Sequence, residues 1–103
     1  MDNCVFCRIV AGEIPAKNKC YEDEEIIAFD DILRDVPVHV LVVTKKHVVN
    51  TAEAGAELSG RLMQVAEKLV QELKISEGYQ VLMNGGRYRE VAHLHYHLKG
   101  GEK

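Results

Sequence analysis

Apolar and polar positions follow two different periods along this chain of 103 residues. In the middle, Leu58, Leu62, Val65, Leu69, Val70 and Leu73 recur at spacings of three and four, which puts them on one helical face. Asn50 or Thr51 marks the start, and Glu53, three residues after Asn50, makes a partial capping box. The stripe predicts one amphipathic helix of about 17–20 residues. It outweighs the weak helix formers Ser59 and Gly60. Elsewhere the apolar runs are short and rich in β-branched residues. The run Val38-His39-Val40-Leu41-Val42-Val43 predicts a strand. Ile26-Ile27-Ala28-Phe29 predicts another, ended by Asp30-Asp31. The polar stretch 22–25 then reads as a hairpin loop joining it to a short strand over 17–22. A fourth strand is expected over 79–83, between a break at Gly78 and an Asn84-Gly85-Gly86 turn. At the start, 4–10 predicts a short helix or turn with Phe6, Ile9 and Val10 inward, closed by Gly12 and Pro15. The stretch 32–37 is expected to loop around Pro37, and 87–92 is polar and expected to be exposed.

His93-Leu94-His95-Tyr96-His97 holds three of the five histidines, at alternate positions. Residues two apart on a strand share a face, about 6.5–7 Å from one another. An extended conformation therefore makes one row of His93, His95 and His97, with Leu94, Tyr96 and Leu98 behind. With no repeated strand–helix–strand unit, linker or internal repeat, the economical reading is an α+β meander: an antiparallel five-stranded sheet, one long helix over one face and a short N-terminal helix. The expected organisation is a single domain over 1–103.

Composition narrows the function. Hydrophobic residues make up 47%, enough for one modest core. The net charge is -3 and no basic stripe runs along the chain, which argues against a nucleic acid as the main partner. A small phosphorylated ligand remains within reach of the basic residues present. No apolar run approaches the ~18–20 residues of a membrane span, and the start carries no signal-peptide pattern. A soluble, cytoplasmic protein with no membrane partner is expected. Two of the three cysteines form a Cys-x-x-Cys pair and Cys20 stands alone, so no disulfide framework is indicated.

Lined-up imidazoles point to chemistry. Adjacent rings repel when cationic, so at least one is neutral near pH 7. A neutral ring is a nucleophile or a metal ligand, and a charged one binds phosphate. The competing reading is three solvated surface histidines. Cys4 and Cys7 have zinc-ligand spacing, but they are half a site, and the remaining ligands must come from the histidines at 39, 47, 93, 95 and 97. Two free thiols are the alternative. A redox pair fits less well, because no strand precedes Cys4. Asp30 and Asp31 end a strand, where one carboxylate can accept two hydrogen bonds from paired sugar hydroxyls. The competing reading is a solvated strand end. Asn84 before two glycines offers an amide and a close backbone approach, or an ordinary turn.

His93-Leu94-His95-Tyr96-His97-Leu98 resembles the histidine-triad motif of the HIT superfamily. Three further segments are similar to that family in order: 4–16, the stretch from Tyr21 to Ile32, and 39–47. The nearest branch resembles the Hint type, the purine nucleoside phosphoramidases. The resemblance implies a HIT-like fold and a nucleotide-binding hydrolase that cleaves purine nucleoside phosphoramidates through a nucleotidyl-histidine. His95 would attack the α-phosphorus, His97 would bind phosphate and steady the leaving group, and His39 would line the pocket. Asp31 would bind ribose, Ile32 and Phe6 would pack on the base and Asn84 would orient phosphate; apart from the resemblance, the charge of Arg89 offers a further phosphate donor. A structural zinc would sit on Cys4, Cys7, His47 and His93, and the protein would be a homodimer with a continuous sheet. This sequence departs from the family pattern at Arg89, Glu90, Thr44 and Lys99, and in a shorter stretch between Asn84 and His93. Alternatives are a dinucleoside polyphosphate hydrolase, a hydrolase whose triad holds a catalytic metal, and a nucleotide-binding HIT protein with little catalysis.

Overall fold

The computed structural model describes residues 4–32 and 36–101. In order they form α1 (Val5–Val10), β1 (Tyr21–Glu22), β2 (Ile26–Asp30), β3 (Val38–Thr44), α2 (Thr51–Glu72), β4 (Tyr79–Leu82), a 3-10 turn (Gly86–Tyr88) and β5 (His95–Gly100). The fold is α+β, with a five-stranded sheet in the order β1-β2-β3-β5-β4. Every neighbouring pair is antiparallel. It follows that β3 and β4 run parallel, with β5 inserted between them. Parallel strands need a long crossover, and α2 supplies it. The sheet is therefore not a simple meander.

Local chemistry explains the helix ends. The Asn50 side chain accepts the Glu53 N–H at 2.8 Å, and the Glu53 carboxylate accepts the Val49 N–H at 2.9 Å. Together they satisfy donors that a helix start leaves open. The helix spans 22 residues, longer than its apolar stripe predicts, because a first turn is added ahead of a bend at Gly55 (φ 88°). That backbone suits glycine and strains other residues. At the other end Lys74 turns left-handed (φ 59°), and the Ile75 N–H closes on the Val70 carbonyl at 3.1 Å. The helix thus stops before Gly78, and Ile75 enters the core.

Both sheet faces are covered. Ala28, Val40, Val42, Leu94 and Leu98 pack beneath Leu62, Val65, Ala66, Leu69 and Val70 of α2. Burying each large aliphatic side chain contributes about 1.5–3 kcal/mol. On the opposite face, Ile27, Phe29, Leu41 and Val43 pack against Phe6 of α1. Two-sided burial is why β3 reads as a continuous apolar run. At the β1–β2 loop, Asp23 accepts the Ile26 N–H at 2.8 Å and also pairs with Arg61 of α2, pinning the hairpin to the helix. Gly100 lets β5 end against the α2–β4 loop, since a Cβ there would lie 2.7 Å from Ile75 Cδ1 and 2.9 Å from the Gly78 carbonyl oxygen.

Three strand expectations need correction. β1 is shorter than 17–22, although the Cys20 N–H still reaches the Ala28 carbonyl at 3.0 Å. β4 stops at Leu82, short of Met83. β5 begins at His95 rather than His93, because the Leu94 N–H turns to the Val48 carbonyl at 2.7 Å and leaves the ladder with β3. Among the described residues no helix is long and apolar enough to cross a membrane.

Candidate functional site

The histidine row lies on the α1 side of the sheet. Register pairs Val43 with His95, Leu41 with His97 and His39 with Lys99, so these residues share the face carrying Phe29 and Ile27. The rings are not solvated: His93, His95 and His97 are 0%, 6% and 7% exposed.

His93 sits just before β5. Its Nε2 lies 2.6 Å from the Thr44 carbonyl oxygen. A carbonyl only accepts, so Nε2 carries the proton and Nδ1 keeps a lone pair. That lone pair faces Cys4 Sγ at 3.2 Å and Cys7 Sγ at 3.6 Å. His47, just past β3, brings its Nδ1 to 3.1 Å from Cys7 Sγ. Cys4 also starts α1, its sulfur accepting the Cys7 N–H at 3.4 Å. The four donor atoms lie within 4.8 Å of one another, a set able to hold a metal ion. Burial pushes the Cys7 thiol up, and Cys4 adds to this. A cation between the two sulfurs would favour their thiolate forms. Cys20 is elsewhere, beside the Ala28 carbonyl.

His95 has the opposite arrangement. Its Nδ1 lies 2.7 Å from the His93 carbonyl oxygen, so Nδ1 donates and Nε2 keeps the lone pair. The Phe6 ring stands edge-on to it, centroids 4.8 Å apart. Burial lowers its pKa most, while the bond to His93, Glu90 and Asp31 pull the other way. His97 Nδ1 lies 2.9 Å from His39 Nε2, one proton shared between two rings. Its pKa falls from 6.5 to about 4, first by burial and then by His95 and His39. Repulsion among the rings, the basis of the sequence argument, is thus the smaller influence.

A cavity of about 240 Å³ opens beside His39 and His97 and is also lined by Asp31, Leu82, Asn84, Glu90 and Lys99. Asp31 Oδ2 lies 3.4 Å from His39 Nε2. The neighbouring Asp30 instead accepts from Asn18 Nδ2 at 2.9 Å, so the two carboxylates have separate surroundings. Phe6 is buried against Phe29, His93 and His95, whereas Ile32 is 73% exposed. Arg89 is not in the cavity wall; its guanidinium donates to the Val49 carbonyl at 3.4 Å. Glu90 and Lys99 stand in the wall unforeseen. Lys99 was visible in principle, since it continues the alternation of His95 and His97. Glu90 follows a turn and had no periodic signal. A larger groove of about 960 Å³ between the α2–β4 loop and β4 shares only Lys99 with this cavity and contains no histidine.

A HIT domain model matches residues 11–103. Protein HitA of Neisseria gonorrhoeae is 39% identical over 105 residues, spanning 97% of both chains. A HIT family hydrolase from Legionella pneumophila Philadelphia 1 superposes with a TM-score of 0.90 at 39% identity, over 98% of this chain and 95% of that one. A histidine triad nucleotide-binding protein from Candida albicans superposes with a TM-score of 0.87 at 34% identity, over 97% of this chain and 77% of that one. With the family match spanning most of the sequence and the fold shared throughout, this chain belongs to the HIT domain family.

Proposed function

We propose that this protein is a nucleotide hydrolase in which His95 attacks phosphorus and carries the nucleotidyl group between two half-reactions. The observation that carries the reading is the His95 tautomer: the His93 carbonyl holds the proton on Nδ1 and leaves Nε2 as a neutral nucleophile. The names of the Legionella and Candida relatives, a hydrolase and a nucleotide-binding protein, support the same class. In the first step a bond forms from Nε2 to the α-phosphorus, and the bond to the leaving group breaks with its electron pair. The departing atom takes its proton from solvent, while His97 hydrogen-bonds the phosphoryl group and steadies the leaving group. Water then attacks the phosphorus and gives up a proton to solvent, the bond to Nε2 breaks with its electron pair returning to the ring, and the nucleoside monophosphate leaves. Asn84 and the amides around Gly85 and Gly86 supply donors to the phosphoryl oxygens. Asp31 accepts from the ribose hydroxyls, and Phe6 and Ile32 flank the base. Arg89 joins the phosphate donors only by leaving the Val49 carbonyl.

Two carboxylates, Asp31 and Glu90, line the cavity. They disfavour a polyanionic leaving group by like-charge repulsion. A purine nucleoside phosphoramidate is therefore preferred over a dinucleoside polyphosphate. We assign the cysteine end to structural zinc on Cys4, Cys7, His47 and His93. Zinc with Zn–S near 2.3 Å and Zn–N near 2.0–2.1 Å sets neighbouring S and N donors about 3.5 Å apart, and the observed separations of 3.1, 3.2 and 3.6 Å agree. Bound zinc would supply no chemistry beyond holding the start of β5. Ligation by thiolates suits a reducing compartment such as the cytoplasm.

We also propose a homodimer. β4 is an edge strand with Tyr79 and Leu82 40% and 37% exposed, Met83 just past its end is 42% exposed, and a second copy would cover this edge. A monomer in light scattering at micromolar concentration would refute this.

The central test is His95→Asn. Turnover of adenosine phosphoramidate should vanish with the fold intact, and a denaturing mass measurement on the parent should trap a nucleotidyl adduct. If the variant keeps more than about a tenth of parental turnover, a loss of only ~1.4 kcal/mol, His95 is not the nucleophile.

A further inference from the structure

We propose that Asp31, His39 and His97 form a second metal site, weaker and exchangeable, that takes a divalent transition ion from solution. One carboxylate oxygen and two imidazole nitrogens lie within 4.8 Å of one another. His39 Nε2 is 2.9 Å from His97 Nδ1 and 3.4 Å from Asp31 Oδ2. Metal–ligand bonds near 2.1 Å set adjacent donors about 3.0–3.4 Å apart. Two histidines and one carboxylate are a familiar ligand set with open coordination positions. No net proton need be lost on binding. The ring that carries the shared proton takes its other tautomer, which bares both facing nitrogens.

The surroundings favour a cation. The adjoining cavity of about 240 Å³ is an entry path and has room for the remaining water ligands. Its wall carries two carboxylates, Asp31 and Glu90, against one ammonium, Lys99. The site contains no sulfur, unlike the cysteine end, so it prefers imidazole-seeking ions and holds them less tightly than a thiolate site does. On the nucleotide reading above, Asp31 and His97 also receive substrate. Metal and nucleotide then exclude each other, which makes free transition metal an inhibitor.

The test is a titration of full-length, zinc-loaded protein with cobalt(II) chloride, followed by absorption. Cobalt that replaces zinc at the cysteines gives strong sulfur-to-metal charge-transfer bands. Cobalt in the cavity gives only weak ligand-field bands. The expected result is saturable binding without charge transfer, with zinc retained, and binding weaker by at least about tenfold in Asp31→Asn and His97→Gln. Unchanged binding in both variants, or charge-transfer bands alone, overturns the site. Should His97→Gln fail to fold, paramagnetic broadening of the amide signals of the parent decides: broadening centred on Asp31 and His97 supports the site, and broadening centred elsewhere overturns it. Adenosine monophosphate added to the cobalt form should bleach the weak bands. Where the monophosphate binds the cobalt-free protein yet leaves those bands intact, mutual exclusion fails. If it does not bind the cobalt-free protein, the nucleotide reading fails, whatever cobalt does.

Discussion

The two ends of the histidine row differ in everything but residue type. At one end His93 is fully buried beside two cysteine sulfurs, with His47 against its ring at a centroid distance of 4.8 Å. At the other end His97 shares a proton with His39 at the wall of an open cavity. The difference comes from hydrogen bonds to ring nitrogens. Thr44 holds His93 by Nε2, so its Nδ1 faces the thiols. The His93 carbonyl holds His95 by Nδ1, so its Nε2 faces away. One motif therefore leaves Nδ1 of His93 and Nε2 of His95 as the open ring nitrogens, and the choice is made by whichever carbonyl comes within reach.

The strongest way to break this contrast is to open the closed end. Cys4→Ser should lose bound zinc and about 3 kcal/mol or more of stability, because the binding energy of a structural metal is folding energy. Metal analysis and thermal unfolding measure it. A metal-free parent of unchanged stability would mean that the cysteines are free thiols and that the ends differ only in exposure.

A smaller effect is expected at the open end. Asp31→Ala should erase discrimination between ribose and 2′-deoxyribose nucleotides, about tenfold or ~1.4 kcal/mol, without changing zinc content. If parent and variant select equally, Asp31 does not hold the sugar. Asp30→Ala is the natural control, since that carboxylate serves Asn18 instead.

The gentlest probe is pH. The His97 pKa in the folded protein is about 4 against an ordinary 6.5. The unfolded chain therefore binds the extra proton first as pH falls. The contribution of His97 is intact above pH 6.5 and is lost progressively toward pH 4. Denaturant unfolding across this window should show stability falling with acid, and less steeply in His97→Gln. Equal slopes in parent and variant would mean that His97 is not held neutral by its surroundings. The comparison with the variant matters because acid also protonates the proposed zinc ligands.

Much of this was legible in one dimension. The apolar stripe from Leu58 to Leu73 and the β-branched run around Val40 are local patterns, and local patterns decide helix and strand because neighbours on the chain are neighbours in space. The alternate spacing of His93, His95 and His97 was enough to put the rings on one side of the chain. The Cys4–Cys7 spacing was enough to announce half a metal set. Other features depended on partners far away in sequence. That β5 slips between β3 and β4 is settled by packing and crossover length. The direction of Arg89 is settled by the carbonyl of Val49, and the start of β5 by that of Val48. The sequence by itself determined which residue types are available and at what local spacing. Only the tertiary structure decided which nitrogen of each histidine is free, because the carbonyl that claims the His93 ring belongs to Thr44, on another strand, and is brought close only when the whole sheet assembles.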